Sequence, residues 1–203
     1  MSATRPALVL ASRSPRRREI LERMGLMHTV DAANIDETPL VGESPRDHVR
    51  RLARTKCETV AARYPHDAVV LAADTTVDVD GQIFGTPRDL AEARAMLEGL
   101  SGRTHLVHTA VCATKGSLGS VPDVRCELDT ASVTMVPIHP DLLERYLATG
   151  ESLDKAGAYA VQGEAAAFVA GVNGHITTVV GLPVRLVERL LTPLGLPPAQ
   201  VHP

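Results

Sequence analysis

An apolar run, Ala7-Leu8-Val9-Leu10-Ala11, passes directly into Ser12-Arg13-Ser14-Pro15-Arg16-Arg17-Arg18. The run reads as a buried strand. Ser14 suits a helix N-cap, Pro15 the first helical position, and Ile20, Leu21 and Met24 one apolar stripe that Gly25 is placed to end. The chain therefore turns from strand to helix at a point rich in guanidinium groups. Free backbone N–H groups and the positive end of the helix dipole converge there, which suits a phosphate or another multiply charged anion. The plain alternative is a solvated basic first turn. Arginines at a helix N-terminus, however, oppose the dipole and cost stability when no anion is present. On that basis Arg17→Ala is expected to leave the melting temperature of the ligand-free protein unchanged or higher.

Strand and helix signals alternate along the 203 residues, with a hairpin in the middle and extended segments later. This predicts an α/β (mixed α+β) fold with a mixed sheet. Residues 1–192 are expected to form a single domain, and 193–203, with four prolines, a flexible tail. The net charge is −3 and aromatic residues make up 2%. There is neither a global basic field for duplex binding nor a stacking surface for single strands, so no nucleic-acid partner is expected. No apolar run reaches membrane-spanning length and no signal-peptide pattern opens the chain, so a cytoplasmic protein is expected, with no membrane partner. Cys57, Cys112 and Cys126 are odd in number and widely spaced, which reads as reduced thiols. His105 and His108 lie three apart in a strand pattern and point to opposite faces, so they do not read as a shared metal site.

Ser44-Pro45-Arg46-Asp47 is a capping box for a second helix, with an inward stripe of Val49, Leu52, Ala53, Lys56 and Val60. Lys56 is the odd member; it either snorkels to solvent or points at an anion in a cleft. Ala68–Ala73 reads as a buried strand ending in Asp74-Thr75-Thr76, and a carboxylate at such an end lies where α/β ligands bind. Asp80-Gly81 is a hairpin turn, Asp89 and Glu92 form another capping box, and residues 104–113 and 126–136 read as strands. A helix is expected over 141–148, closed by Gly150, and a last one near Pro183 carrying Leu186, Val187, Leu190 and Leu191. Between them, residues 151–163 interleave Glu151, Asp154, Lys155 and Gln162 with small residues.

Basic groups suited to phosphate oxygens, combined with acids suited to Mg²⁺ or Mn²⁺, fit phosphoryl transfer. No GxxxxGK[ST] or GxSxG motif is present, so hydrolysis by water is the simplest chemistry, with a carboxylate to orient or deprotonate it. The turn 11–17, Ala73-Asp74-Thr75, Ser101-Gly102-Arg103-Thr104-His105, Leu153–Gly163 and Val180-Gly181-Leu182-Pro183 together resemble the Maf family of nucleoside triphosphate pyrophosphatases. The resemblance runs in order from about residue 7 to 191. It implies cleavage of a nucleoside triphosphate between its α- and β-phosphates and dependence on a divalent cation, usually Mg²⁺ or Mn²⁺. It also implies a curved mixed sheet flanked by helices, with a cleft between two lobes, similar to inosine triphosphate pyrophosphatases, and a homodimer.

Position by position, the resemblance makes Asp74 the proton acceptor and places Glu37 and Asp74 near the metal. It makes Lys56 and Lys155 cleft lysines, and Ser12, Arg16 and Arg17 the phosphate-binding turn. Arg16, Thr75 and Gln162 match positions that separate subfamilies, in forms similar to the branch that prefers dTTP and UTP. Three departures stand out. Gly85-Thr86-Pro87 replaces the family's Gly-Lys-Pro, Gly174-His175-Ile176 its Gly-Ser-Tyr, and Ala170 a basic residue after Phe168-Val169. The missing lysine at 86 keeps open a nucleotide-binding regulator of cell division with little turnover, and a pyrophosphatase for another modified base is the third option.

Overall fold

Ala7–Leu10 forms β1, and residues 11–14 turn the chain into α1 (Pro15–Arg23) in a computed structural model that describes residues 6–198. Ser14 holds the N-cap position with extended backbone, but its hydroxyl caps nothing; its N–H instead donates to Ser12 Oγ at 3.3 Å. The first turn of α1 is therefore left without a side-chain acceptor, as an anion site requires. After the short β2 (His28–Val30) comes α2 (Pro45–Ala61), where the Asp47 N–H donates to Ser44 Oγ at 3.2 Å.

β3 (Ala68–Val79) and β5 (Thr104–Lys115) are the two long strands, paired antiparallel from Val69↔Lys115 to Asp78↔Leu106. β3 does not end at Asp74 as expected. The β-branched run Thr75-Thr76-Val77 continues the ladder, so Asp74 sits inside a strand rather than at its end. The Asp80-Gly81 turn, with both residues at positive φ, leads into β4 (Gln82–Phe84). α3 (Leu90–Leu100), β6 (Arg125–Met135), α4 (Pro140–Ala148), β7 (Val169–Asn173), α5 (Ile176–Val180) and α6 (Val184–Leu191) complete the chain. The seven-stranded sheet runs β2-β1-β3-β5-β6-β7, with β4 on β3; β1 is parallel to β2 and β3, and the other pairs are antiparallel.

The alternation of β3 explains how the core divides. Val69, Leu71 and Ala73 pack with Leu21 of α1 and Leu186, Leu190 and Leu191 of α6. Val70 and Ala72 face the other way, onto Val49, Ala53 and Val60 of α2. Farther along, Val77 and Val79 join a separate cluster with Leu97 and Leu100 of α3 and Leu143 and Tyr146 of α4. Each fully buried leucine holds these layers by about 2–5 kcal/mol against truncation to alanine. Between the two ends of β3 lies the polar stretch Asp74-Thr75-Thr76, which is where the cleft opens.

Two expectations are overturned. Cys112 and Cys126 stand directly opposite each other on β5 and β6 and are joined by a disulfide; register, not sequence spacing, brings them together. Cys57 alone is a free thiol among the described residues, and it is buried. The packed chain also runs past 192: a 3₁₀ turn over Thr192–Leu194 and the left-handed Gly195 return Leu196 to the core, where it is 2% exposed. The apolar side chain at 196 outweighs the neighbouring prolines; residues 199–203 of the expected tail lie outside the described residues. No helix among the described residues is long and apolar enough to cross a membrane.

Candidate active site

A cavity of about 890 Å³ opens at the middle of β3. The α1 turn, the loop 32–39, one face of α2, the exit of the β4 hairpin and the segment 154–162 form its walls. Ser12, Arg16, Arg17, Glu37, Lys56, Asp74, Thr75, Lys155 and Gln162 all line it, so the fold gathers every expected site residue around one space.

Its centre is a charged triad. Lys56 Nζ donates to Asp74 Oδ1 at 2.6 Å and meets Glu37 Oε1 at 2.8 Å. The two readings of Lys56 are thereby separated: it points into the cleft. Asp74 is nearly enclosed, and burial pushes its carboxyl above the usual carboxylate range, against the opposing pull of Lys56 and Arg17. Glu37 is the exposed partner, its side chain 57% accessible against 9% for Asp74. One shielded and one open carboxylate thus share a single cation.

Arg17 is bound into the fold, contrary to the expectation of an arginine waiting only for an anion. Its Nε donates to Gly181 O at 2.8 Å, Nη1 to Ser12 Oγ at 2.9 Å and Nη2 to Thr75 Oγ1 at 3.2 Å. Burial lowers its pKa, with Asp74 opposing. Gly181, at φ 109° and with Thr75 Oγ1 3.0 Å from where a Cβ would stand, lets the chain pass this close. Behind it, Thr75 pairs with Thr109 at 2.9 Å, Thr109 donates to Thr178 O at 2.7 Å, and Thr178 and Arg185 both donate to Asp129. Arg16 is freer: among the described residues its one ion pair is with Asp154, at 3.8 Å.

Lys155 turns toward its own segment, donating to Glu151 O and Asp154 Oδ1, both at 2.5 Å. Gln162 is an exposed rim residue in the segment 154–162. Thr86 is exposed on the same cavity, while Arg88, two residues on, donates to Glu92 at 2.9 Å.

Sequence reasoning passed over two groups. Glu43 is enclosed between Arg51 and His48, and Arg51 also reaches Thr38 O at 3.1 Å, which ties the loop bearing Glu37 to α2. Arg51 holds the Glu43 carboxyl down at about 2. The i, i+4, i+8 spacing of His48, Leu52 and Lys56 was the available signal, since it puts all three on one helix face. In the second group, buried His105 meets Tyr159 Oη at 2.6 Å, and burial lowers the imidazole to about 4, so it is neutral near pH 7. His108 has other partners, Asp78 at 3.0 Å and Thr130 Oγ1 at 2.8 Å.

Among the described residues no group of three or more His, Cys, Asp or Glu side chains is suited to a metal; the hard oxygen donors at the centre of the cavity are the two carboxylates Asp74 and Glu37. That donor set matches Mg²⁺ or Mn²⁺ held by one or two carboxylates, with substrate phosphate oxygens and water as the other ligands.

Residues 7–194 match the family model described as Maf-like protein. The dTTP/UTP pyrophosphatase of Myxococcus xanthus (strain DK1622) is 49% identical over 197 residues, covering 97% of each chain. That of Anaeromyxobacter sp. (strain Fw109-5) is 47% identical, over 94% of this chain and 90% of its own. Among solved structures, the Staphylococcus aureus Ham1 protein aligns over 93% of this chain and 99% of that one, at 13% identity and a TM-score of 0.49.

Proposed function

The chain belongs to the Maf family, and on that premise we propose that it is a nucleoside triphosphate pyrophosphatase that hydrolyses dTTP and UTP to the monophosphate and pyrophosphate. The observation that supports this most is the Lys56 ammonium between Asp74 and Glu37, beside an uncapped helix N-terminus that carries Arg16 and Arg17.

In this reading the triphosphate lies along the α1 turn, where backbone N–H groups, Ser12 and Arg16 meet its oxygens. Asp74 takes a proton from the attacking water; its raised pKa brings it nearer the operating pH, which favours a general base. Lys56 holds Asp74 in place and offsets charge that develops on the α-phosphate. Asp74 and Glu37 are the side chains that would hold Mg²⁺ or Mn²⁺, which when bound neutralises phosphate charge and orients the oxygens. Thr75 is occupied in fixing Arg17, so its part in substrate choice is through that arginine. Gln162 offers a donor and an acceptor, which suits the imide edge common to uracil and thymine and not that of cytosine.

A panel of nucleoside triphosphates with Mg²⁺, assayed separately for pyrophosphate and orthophosphate, tests the proposal. Pyrophosphate from dTTP and UTP, with CTP and purine nucleotides poorer, is expected. Orthophosphate as the first product from dTTP overturns the bond assignment, and a purine preference overturns the base assignment.

Thr86 decides between full turnover and a weakly active nucleotide binder. If a cleft cation has been lost there, Thr86→Lys raises turnover by about 10-fold, or about 1.4 kcal/mol of barrier. The nearest replacement, Arg88, is engaged with Glu92 and 84% exposed, which favours loss over relocation. An unchanged or lower rate in Thr86→Lys, together with an inactive Arg88→Ala, shows instead that the charge has moved.

A further inference from the structure

We propose that His48, a residue with no role in the activity above, is a substrate-contacting residue whose Nε2 accepts a hydrogen bond from an N–H or O–H group of the bound nucleoside. The inference rests on the nucleotide reading above and deepens it.

His48 lies on the face of α2 that also presents Leu52 and Lys56, and all three line the cavity. About 12 Å of helix axis separates 48 from 56 at 1.5 Å per residue. That places His48 beyond the reacting phosphate, at the distance of a sugar or base. The residue is 4% exposed overall. Its Nδ1 is 2.9 Å from Glu43 Oε2, and Glu43, held at about 2 by Arg51, is an ionised carboxylate that only accepts. Nδ1 also lies 3.3 Å from Arg51 Nη2, which only donates, but the shorter contact is the one to the carboxylate; with the proton placed on Nδ1 to meet Glu43, Nε2 of the neutral ring is left as a lone-pair acceptor. Nε2 has no hydrogen-bond partner among the described residues, yet it is not one of the three sealed unpartnered side-chain atoms, which are His105 Nδ1, Ser117 Oγ and Ser152 Oγ. A buried ring that lines the cavity, with one nitrogen fixed and the other unpartnered among the described residues, is an oriented acceptor. Two bonds from Arg51 to Glu43, at 2.6 and 2.8 Å, and one from the Leu40 N–H at 3.0 Å hold the orienting carboxylate still. Nearby, Ala33, Ile35 and Leu52 line the same cavity and supply an apolar wall for a flat ring or a sugar face.

Two nucleoside groups share the required chemistry: the imide N3–H of the pyrimidine and a ribose or deoxyribose hydroxyl. Calorimetric titration of the α,β-imido analogue of dTTP, its N3-methyl derivative and its 3′-deoxy derivative distinguishes them, because binding is read without turnover. His48→Phe keeps the ring and removes the acceptor. It is expected to weaken the parent analogue by about 10-fold, as for one ordinary hydrogen bond. It is expected to leave unchanged the affinity for the one derivative that lacks the donor. His48→Gln restores an acceptor oxygen and is expected to recover most of the loss, which separates lost acceptance from a disturbed fold. Equal binding of the parent analogue by wild type and His48→Phe overturns the proposal. So does an equal loss for all three nucleotides, or failure of His48→Gln to recover. Absence of any binding to the wild type overturns the nucleotide reading and this inference together, whereas binding indifferent to His48 overturns only the latter.

Discussion

Asp74→Asn is expected to lower turnover of dTTP by about 10²-fold or more, the range of a lost general base, while nucleotide affinity changes little. The amide keeps the shape of the carboxylate and can still accept from Lys56 Nζ, now 2.6 Å from Oδ1. What it loses is the capacity to take a proton. The position explains why a carboxylate is retained at a cost: burial disfavours its charge, and Lys56 and Arg17 only partly offset this. Steady-state rates combined with a binding isotherm check the outcome. A parallel loss of affinity and rate would instead show that Asp74 acts only by holding the metal or the fold, and not as the base.

How far the sequence carried depended on whether a feature is local. The α1 turn, the Ser44 and Asp89 caps and the Asp80-Gly81 hairpin rest on interactions within four residues, and all appear where expected. The stripe of α2 was equally legible, because helical periodicity alone puts Val49, Leu52, Ala53 and Val60 inside. Lys56 on that stripe was ambiguous until β3 supplied Asp74 from a different part of the chain. Long-range partners are invisible to periodicity. The Cys112–Cys126 pair needs the β5–β6 register, and the hold of Arg51 on Glu43 and Thr38 needs the loop to fold back on the helix. The continuation of β3 through Asp74 was missed because a polar trio reads as an end, whereas ten paired positions on β5 outweigh it. Leu196 shows the same rule at the C-terminus, where one buried side chain prevails over proline-rich composition. Glu37, Lys155 and Gln162 were reached only through family resemblance, since each sits in a segment whose local pattern reads as a charged loop.

Arg17→Ala is expected to lower the melting temperature of the ligand-free protein by about 5–10 °C, the reverse of what dipole repulsion alone predicts. The guanidinium ties three elements that are remote in sequence: Ser12 in the turn, Thr75 in β3 and the Gly181 carbonyl after α5. Hydrogen bonds to a charged group contribute about 1.5–3 kcal/mol each, and a domain of this size shifts by about 2–4 °C per kcal/mol. The full sum of three is not expected, because water enters the space and rehydrates the freed oxygens. Arg16 provides the internal control. Its single long contact to Asp154 and its 26% exposed side chain predict that Arg16→Ala leaves the melting temperature in place and weakens nucleotide binding. Thermal unfolding of both variants, with and without dTTP analogue, separates a fastening arginine from a binding one. Coupling within the fastened set is tested by Arg17→Ala combined with Thr75→Val: if the two side chains act through each other, the double variant loses less than the sum of the singles. An Arg17→Ala protein that melts with the wild type would show that the three contacts contribute nothing net, and would return Arg17 to the same standing as Arg16, a cation poised only for phosphate.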